Sequence, residues 1–195
     1  GLEVANTLIG GGDLTFRSII TSGGTSGIVL TNTGTTASDG GLTVTGTGAA
    51  NGGGTLQDHS GDAVSLSAAR DISFTEMNIT NSGGSHIDAT NVTNLTLQNI
   101  DLTFSTDHGI VGSTLRNFTA DNCTFDQGGA GNGGSGKHGI FVTNLLGTSA
   151  VTDSTFTRSN TIQFYVTNTT ATAAQPGISQ DVLTLSHNTW NQHTG

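Results

Sequence analysis

The stretches 72–79 (ISFTEMNI), 95–102 (LTLQNIDL) and 118–125 (FTADNCTF) share one order of apolar and polar residues. Each reads apolar-polar-apolar, then two polar residues, then apolar-polar-apolar. Alternation with period two predicts strands with one buried face, and the two adjacent polar residues predict a bend between two short strands. Because the three stretches begin at equal intervals, we interpret each as one copy of a repeat of about 23 residues.

The repeat extends along the chain as columns of apolar positions that we expect to stack inside the fold. The predicted columns are Phe16/Val44/Phe74/Leu97/Ala120/Val151/Leu185, Ile79/Leu102/Phe125/Phe156/Trp190, Val64/Ile87/Ile110/Phe141 and Ala69/Val92/Leu115/Leu146. A weaker column contains Cys123, which we expect to be a buried and inert thiol. About seven units of three short strands each predict an all-β β-solenoid that forms one domain over residues 1–195.

Two further features concern the corners between the predicted strands. Asp71, Asn94 and Asn117 recur with the period of the repeat, so we expect their side chains to hydrogen-bond from copy to copy. Where a unit is longer than this period, the extra residues are expected in loops. We place these loops in the glycine runs 52–54 and 128–136 and in 169–179, which holds the single proline.

The composition excludes several classes of protein. One proline among 30 glycines excludes collagen, and the lack of a long apolar run excludes a transmembrane helix. A single cysteine means that the fold does not depend on disulfides. The formal net charge is −9 and the five basic residues are scattered, so we expect neither a nucleic-acid partner nor membrane insertion.

The repeats resemble those of right-handed parallel β-helix (pectin-lyase-like) proteins, most of all the Gly/Thr/Asn-rich repeats of large secreted bacterial surface proteins. The resemblance rests on GIVLTNTG (27–34), GGLTVTGTG (40–48), GDAVSLSAARDISFTEMNITNSGG (61–84) and NVTNLTLQNIDLTF (91–104). It implies a right-handed coil and an extracellular or cell-surface location. It does not decide the function, because this class includes lyases, hydrolases, adhesins and passive spacers.

We therefore expect a structural module, such as a stalk, an adhesin segment or a filament subunit that stacks end to end. Neither end carries an obvious capping helix, so the expected partners are adjacent β-helix segments or identical copies. The alternative is a carbohydrate-binding or carbohydrate-cleaving β-helix, with glycans as partners. The sequence favours the non-enzymatic function, and no residue is assigned a catalytic role.

Histidine and aspartate cluster just before the strand of the third column. His86, His108 and His138 are expected on successive coils, close to Asp88 and Asp107. A solvated corner is the favoured interpretation, and a His/Asp metal site or acid–base chemistry is the alternative. We expect the remaining histidines to lie on the surface; they are His59, His187 and His193.

Asp121 and Asp153 are the nearest approach to a ladder of carboxylates, which we expect on neighbouring coils. A glycosidase needs two carboxyl groups on either side of a cleft, and no long cleft-forming loop is evident. Ca²⁺ between aspartate-bearing turns is the one cofactor considered, although no calcium-binding nonapeptide repeat is present. The Thr43-Val-Thr45 pattern also resembles an ice-binding array, but Arg17, Gln98 and Asp121 interrupt it.

Overall fold

A computed structural model describes residues 1–126, 137–159, 161–168 and 182–191, and over these residues it contains β-strands and no helix. In chain order the strands are β1 (Leu2–Ala5), β2 (Leu14–Phe16), β3 (Thr21–Ser22), β4 (Ile28–Thr31), β5 (Leu42–Val44), β6 (Gly54–Gln57), β7 (Val64–Thr75), β8 (Met77–Ser82), β9 (Ile87–Gln98), β10 (Asp101–Ser105), β11 (Ile110–Asp121), β12 (Thr124–Asp126), β13 (Ile140–Leu146), β14 (Thr148–Thr152), β15 (Thr155–Thr157), β16 (Phe164–Thr167), β17 (Val182–Ser186) and β18 (Thr189–Asn191).

Strands from successive repeats pair in parallel and form three rows. Row one is β1-β4-β7-β9-β11-β13-β16, and row three is β3-β6-β8-β10-β12-β15-β18. Row two begins with β2 and β5, continues through the second halves of β7, β9 and β11, and ends with β14 and β17. One circuit through the three rows is called a coil below. The chain is thus all-β with parallel sheets, which is consistent with a β-solenoid-like fold.

The register confirms the apolar columns that run through Phe74 and Ile79. Phe74 pairs with Leu97 and Leu97 with Ala120, while Ile79 pairs with Leu102. Their side chains are fully buried. Later in the Ile79 column the aromatic rings stack: the ring centroids of Phe125 and Phe156 are 4.5 Å apart. Because like residues lie above like residues, each coil is packed mainly by the coils above and below it.

Two predicted columns are wrong by one residue at their last member. Ile110 pairs with Ile140 rather than Phe141, and Leu115 pairs with Leu145 rather than Leu146. The cause is Gly147, at φ +67°, which adds one residue to the corner between β13 and β14. The sequence analysis above places the whole surplus of that unit in the loop at 128–136. Shifting a strand by one residue exchanges its two faces, so Phe141 is turned outward.

The corner prediction for Asp71, Asn94 and Asn117 is confirmed. All three residues have a left-handed backbone, with φ of 52°, 60° and 56°. Asn94 donates its side-chain amide to Asp71, and Asn117 donates to Asn94. A second ladder of this kind, which the sequence analysis did not identify, joins Asn122 Nδ2 to Asn99 Oδ1 at 2.7 Å.

Only one of the three predicted loops can be compared with the structure, because the loops at 128–136 and 169–179 lie outside the described residues. Gly52 and Gly53 precede β6, but Gly54 belongs to it and pairs with Met77. At Gly54 φ is +103°, and a Cβ atom there would lie 2.1 Å from the carbonyl oxygen of Ile19. Only glycine fits this contact between a strand and the preceding coil.

Candidate functional site

The histidine corner lies at the start of row one, where the chain enters β7, β9, β11 and β13. Hydrogen bonds extend the parallel register backwards from the strands: His86 N–H donates to His108 O, and Gly109 N–H donates to His138 O. This register places His138 beside His108, as predicted. It places His86 beside Gly109 instead, one position away from the other two histidines. Only two of the three predicted histidines therefore stack.

His86 points into the core, which contradicts the prediction of a solvated corner for this residue. Its side chain is fully buried, and its Nδ1 lies 2.8 Å from Ser82 Oγ. Its Nε2 is buried without a hydrogen-bond partner. Burial lowers the pKa of His86 to about 3, so the imidazole is neutral at physiological pH.

His59 is also buried, so the prediction that it lies on the surface is wrong. Its Nε2 lies 3.0 Å from Thr21 Oγ1. The register places His59 beside Ser82, and Ser82 pairs with Ser105. These residues form a buried polar column at the turn between row three and row one. The signal is in the sequence, because positions 59, 82 and 105 are equally spaced at the repeat period. Polarity alone, however, predicts that such residues lie on the outside.

His108 and His138 form a stacked pair at the surface end of this corner. Their ring centroids are 5.3 Å apart and their planes differ by 6°. His108 Nδ1 accepts the backbone N–H of His138 at 3.0 Å, while His138 Nδ1 lies 2.9 Å from the carbonyl oxygen of Ile162. A carbonyl can only accept, so His138 carries its proton on Nδ1, whereas neutral His108 carries its proton on Nε2.

Several charged groups lie near the stacked histidines. His108 Nε2 lies 3.5 Å from Asp107 Oδ1, which is exposed. The pKa of His108 is lowered by burial, with Asp107 opposing and the positive charges of His138 and Lys137 adding to the effect. Asp88 is half-buried, and burial together with the charge of Asp62 raises its pKa. Both histidines are held through Nδ1, and a ring oriented in this way can still exchange a proton at Nε2.

The expected ladder of Asp121 and Asp153 does not form. Asp121 pairs with Thr152, whose hydroxyl donates to Asp121 Oδ1 at 2.5 Å. Asp153 falls one position later, beside Asn122, at a corner with φ of 50°. The side chain of His187 lies close to it, with Nδ1 3.5 Å from Asp153 Oδ1, and is exposed, as predicted. His193 lies outside the described residues.

No family model, curated protein or solved structure matches this chain. Two further findings concern the described part of the chain. No group of three or more His, Cys, Asp or Glu side chains there is arranged to hold a metal ion. Nor does that part contain a helix long and apolar enough to cross a membrane.

Two aromatic residues next to the histidines were not identified as site residues from the sequence. Phe141 and Tyr165 pair in register on β13 and β16, with ring centroids 5.5 Å apart. The repeat period predicts a core position for Phe141, and this is wrong because of the extra residue at Gly147. Tyr165 lies one position further from Phe141 than the repeat period, so the period did not connect the two.

Proposed function

We propose that the chain is a structural module, a right-handed parallel β-helix whose end coils join adjacent β-helix segments or identical copies. It would serve outside the cell or at the cell surface as a stalk, an adhesin segment or a filament subunit. Right-handedness is the usual hand of connections between parallel strands. The surface location is inferred from the composition, which is poor in charge and rich in glycine, threonine and asparagine.

The exposure of core columns at the last described coil carries the proposal. Leu185 continues the column of Val151, yet it is 46% exposed where Val151 is 0% exposed. Trp190 continues the column of Phe156 and is 42% exposed where Phe156 is 0% exposed. Each of these side chains would be covered by one more coil in the same register. Burial of such area is the main favourable term in association.

The first coil has matching features. Phe16 heads the column of Val44 and is partly exposed. Beside it, Val4, Leu8 and Leu14 line an open pocket. Within the described residues, β1, β2 and β3 each pair on one side only, as do β16, β17 and β18. Strand edges of this kind add further parallel strands through backbone hydrogen bonds.

The proposal is tested by blocking one end with charge. Light scattering and electron microscopy would measure the assembly of the chain as a function of concentration. We expect concentration-dependent rods, and we expect Leu185→Lys and Trp190→Lys to prevent them, because a lysine cannot be buried against the next coil without a partner. Thr96→Lys, on the outward face of β9, is the control and should assemble normally.

Two results would overturn the proposal: a monomer at high concentration, or equal assembly of the end variants and the unsubstituted chain. A crystal structure would test the hand of the coil. Surface labelling of the producing cells would test the location, since an intracellular protein would remain unlabelled.

A further inference from the structure

At the turn between row three and row one, side chains of one coil accept backbone N–H groups of the next coil. Asp62 Oδ1 accepts the N–H of Ser85 at 2.7 Å, and two coils later His108 Nδ1 accepts the N–H of His138 at 3.0 Å. All four residues share one register position, because each lies two residues before the first paired residue of its strand in β7, β9, β11 or β13. The same contact is therefore made once by a carboxylate and once by an imidazole.

A second proton on His108 removes this contact. Neutral His108 carries its proton on Nε2, because Nδ1 accepts from a backbone N–H. A second proton can bind only at Nδ1, which then becomes a donor that faces another donor. His138 behaves differently: its Nδ1–H donates to Ile162 O, so a second proton binds at Nε2 and leaves that bond intact. At Asp62, a carboxyl group offers an acceptor oxygen in both protonation states.

Charged groups near His108 decide when the second proton binds. The ionisable groups on the elements packed around the ring are Asp107 on its own turn, His86 and Asp88 on the preceding coil, and Lys137 and His138 on the following coil. Burial lowers the pKa of His108, the charges of His138 and Lys137 lower it further, and Asp107 opposes them. The ring is therefore neutral at pH 7. Because the unfolded chain binds this proton more readily, the contact loses stability as the pH falls below 6.5.

We propose that His108 is a pH-sensitive switch that fixes the start of β13 at neutral pH and releases it in acid. Charged His108 leaves the N–H of His138 without this partner at a buried position. The two rings are also 5.3 Å apart, so they repel when both are charged. Neighbouring backbone bonds remain, from Gly109 N–H to His138 O and from Ile110 N–H to Gly139 O. The expected change is thus a local opening of one turn, not unfolding of the chain.

Nuclear magnetic resonance of the isotope-labelled chain tests the switch. The ring signals of His108 report its protonation, and hydrogen exchange reports the protection of the His138 amide. Between pH 7 and pH 4.5, this protection should fall by about tenfold relative to that of the Ser85 amide, the factor expected for one lost hydrogen bond. The Ser85 amide is the internal reference because its acceptor is Asp62.

Two variants separate the proton from the contact. His108→Asn is the matched control, since its side-chain oxygen can accept the same N–H and has no proton to gain, so the protection should stay constant. His108→Ala removes the acceptor and should give low protection at both pH values. Circular dichroism would establish that each variant is folded, and the measurement on the unsubstituted chain decides the question even if a variant does not fold.

Three results would overturn the inference. They are a His138 amide that keeps its protection after His108 has become charged, a His108 ring that is still neutral at pH 4.5, and an equal loss of protection in His108→Asn. A general effect of acid on the core would lower the protection of Ser85 and His138 together, so the comparison of these amides excludes it. The Leu185→Lys chain should respond in the same way, because the switch does not depend on end-to-end joining.

Discussion

Asn94 donates its side-chain amide to Asp71 Oδ1 at 2.5 Å across two adjacent coils, and both residues have a left-handed backbone. Asn94 Oδ1 in turn accepts the amide of Asn117 at 2.9 Å. One side chain therefore links three coils at a corner. Asparagine suits this position for two reasons: it tolerates positive φ, and its side-chain amide can both donate and accept a hydrogen bond.

We expect Asn94→Ala to lower the free energy of unfolding by about 2–4 kcal/mol, because the alanine would have to adopt a left-handed backbone and two hydrogen bonds would be lost. Asn94→Gly loses the same hydrogen bonds without the backbone penalty and should be the less destabilised of the two. Urea denaturation followed by circular dichroism measures both. Equal losses in the two variants would mean that backbone conformation contributes nothing at this corner.

Thr114 occupies a position where the fold favours asparagine. Its φ is 62°, and its register neighbours Asn91 and Asn144 have φ of 56° and 63°. A β-branched residue is strained in this conformation. Thr114→Asn should therefore raise the free energy of unfolding by about 0.5–1.5 kcal/mol, through relief of strain and a new side-chain hydrogen bond along the corner.

The control for this prediction is Thr119→Asn. Thr119 lies in the extended part of β11 and faces outward, where threonine is the better strand former. That substitution should leave stability unchanged or lower it slightly. If both substitutions shift the thermal midpoint in the same direction by the same amount, the backbone argument at Thr114 is wrong.

These corners show how far the repeat could be predicted. Period and polarity located the columns through Phe74 and Ile79 because stacking repeats the same side-chain type at the same position. They could not locate the extra residue at Gly147, because the length of a unit shows how many residues are added but not at which corner they lie. The same limit explains the error at His86: one position separates a corner residue that faces solvent from one that faces the core.

Acid should destabilise the fold through His86. Its pKa in the folded chain is about 3, below its ordinary value of 6.5, because the charged form is poorly solvated in the core. The unfolded chain therefore takes up a proton between these two values and the folded chain does not. Stability is complete above pH 6.5 and falls by about 1.4 kcal/mol for each pH unit below it.

Urea denaturation at pH 7 and pH 5 measures this effect, with His86→Asn as the comparison. The asparagine can still bond to Ser82 but has no proton to gain. Between these two pH values, the unsubstituted chain should lose about 2 kcal/mol more than the variant. Asp88 acts in the opposite direction in both proteins, because its raised pKa favours the folded state at low pH, so it cancels in the difference. An identical pH dependence in both proteins would contradict the prediction.

The aromatic column of row three gives a final prediction about how stability is distributed along the coils. The ring of Phe156 lies between Phe125 and Trp190, with centroid distances of 4.5 and 4.4 Å. Phe156→Ala should cost about 3–5 kcal/mol, because it leaves a cavity in a fully buried position. Since each coil contacts mainly its neighbours, the loss should fall on the nearby coils. Hydrogen exchange should then show reduced protection in β15 and β18 while β7 and β9 keep theirs.

Trp190→Ala, at a partly exposed position, is the matched substitution and should lower the free energy of unfolding by less. Uniform loss of protection through all the strands after Phe156→Ala would show that the coils unfold as a single cooperative unit instead.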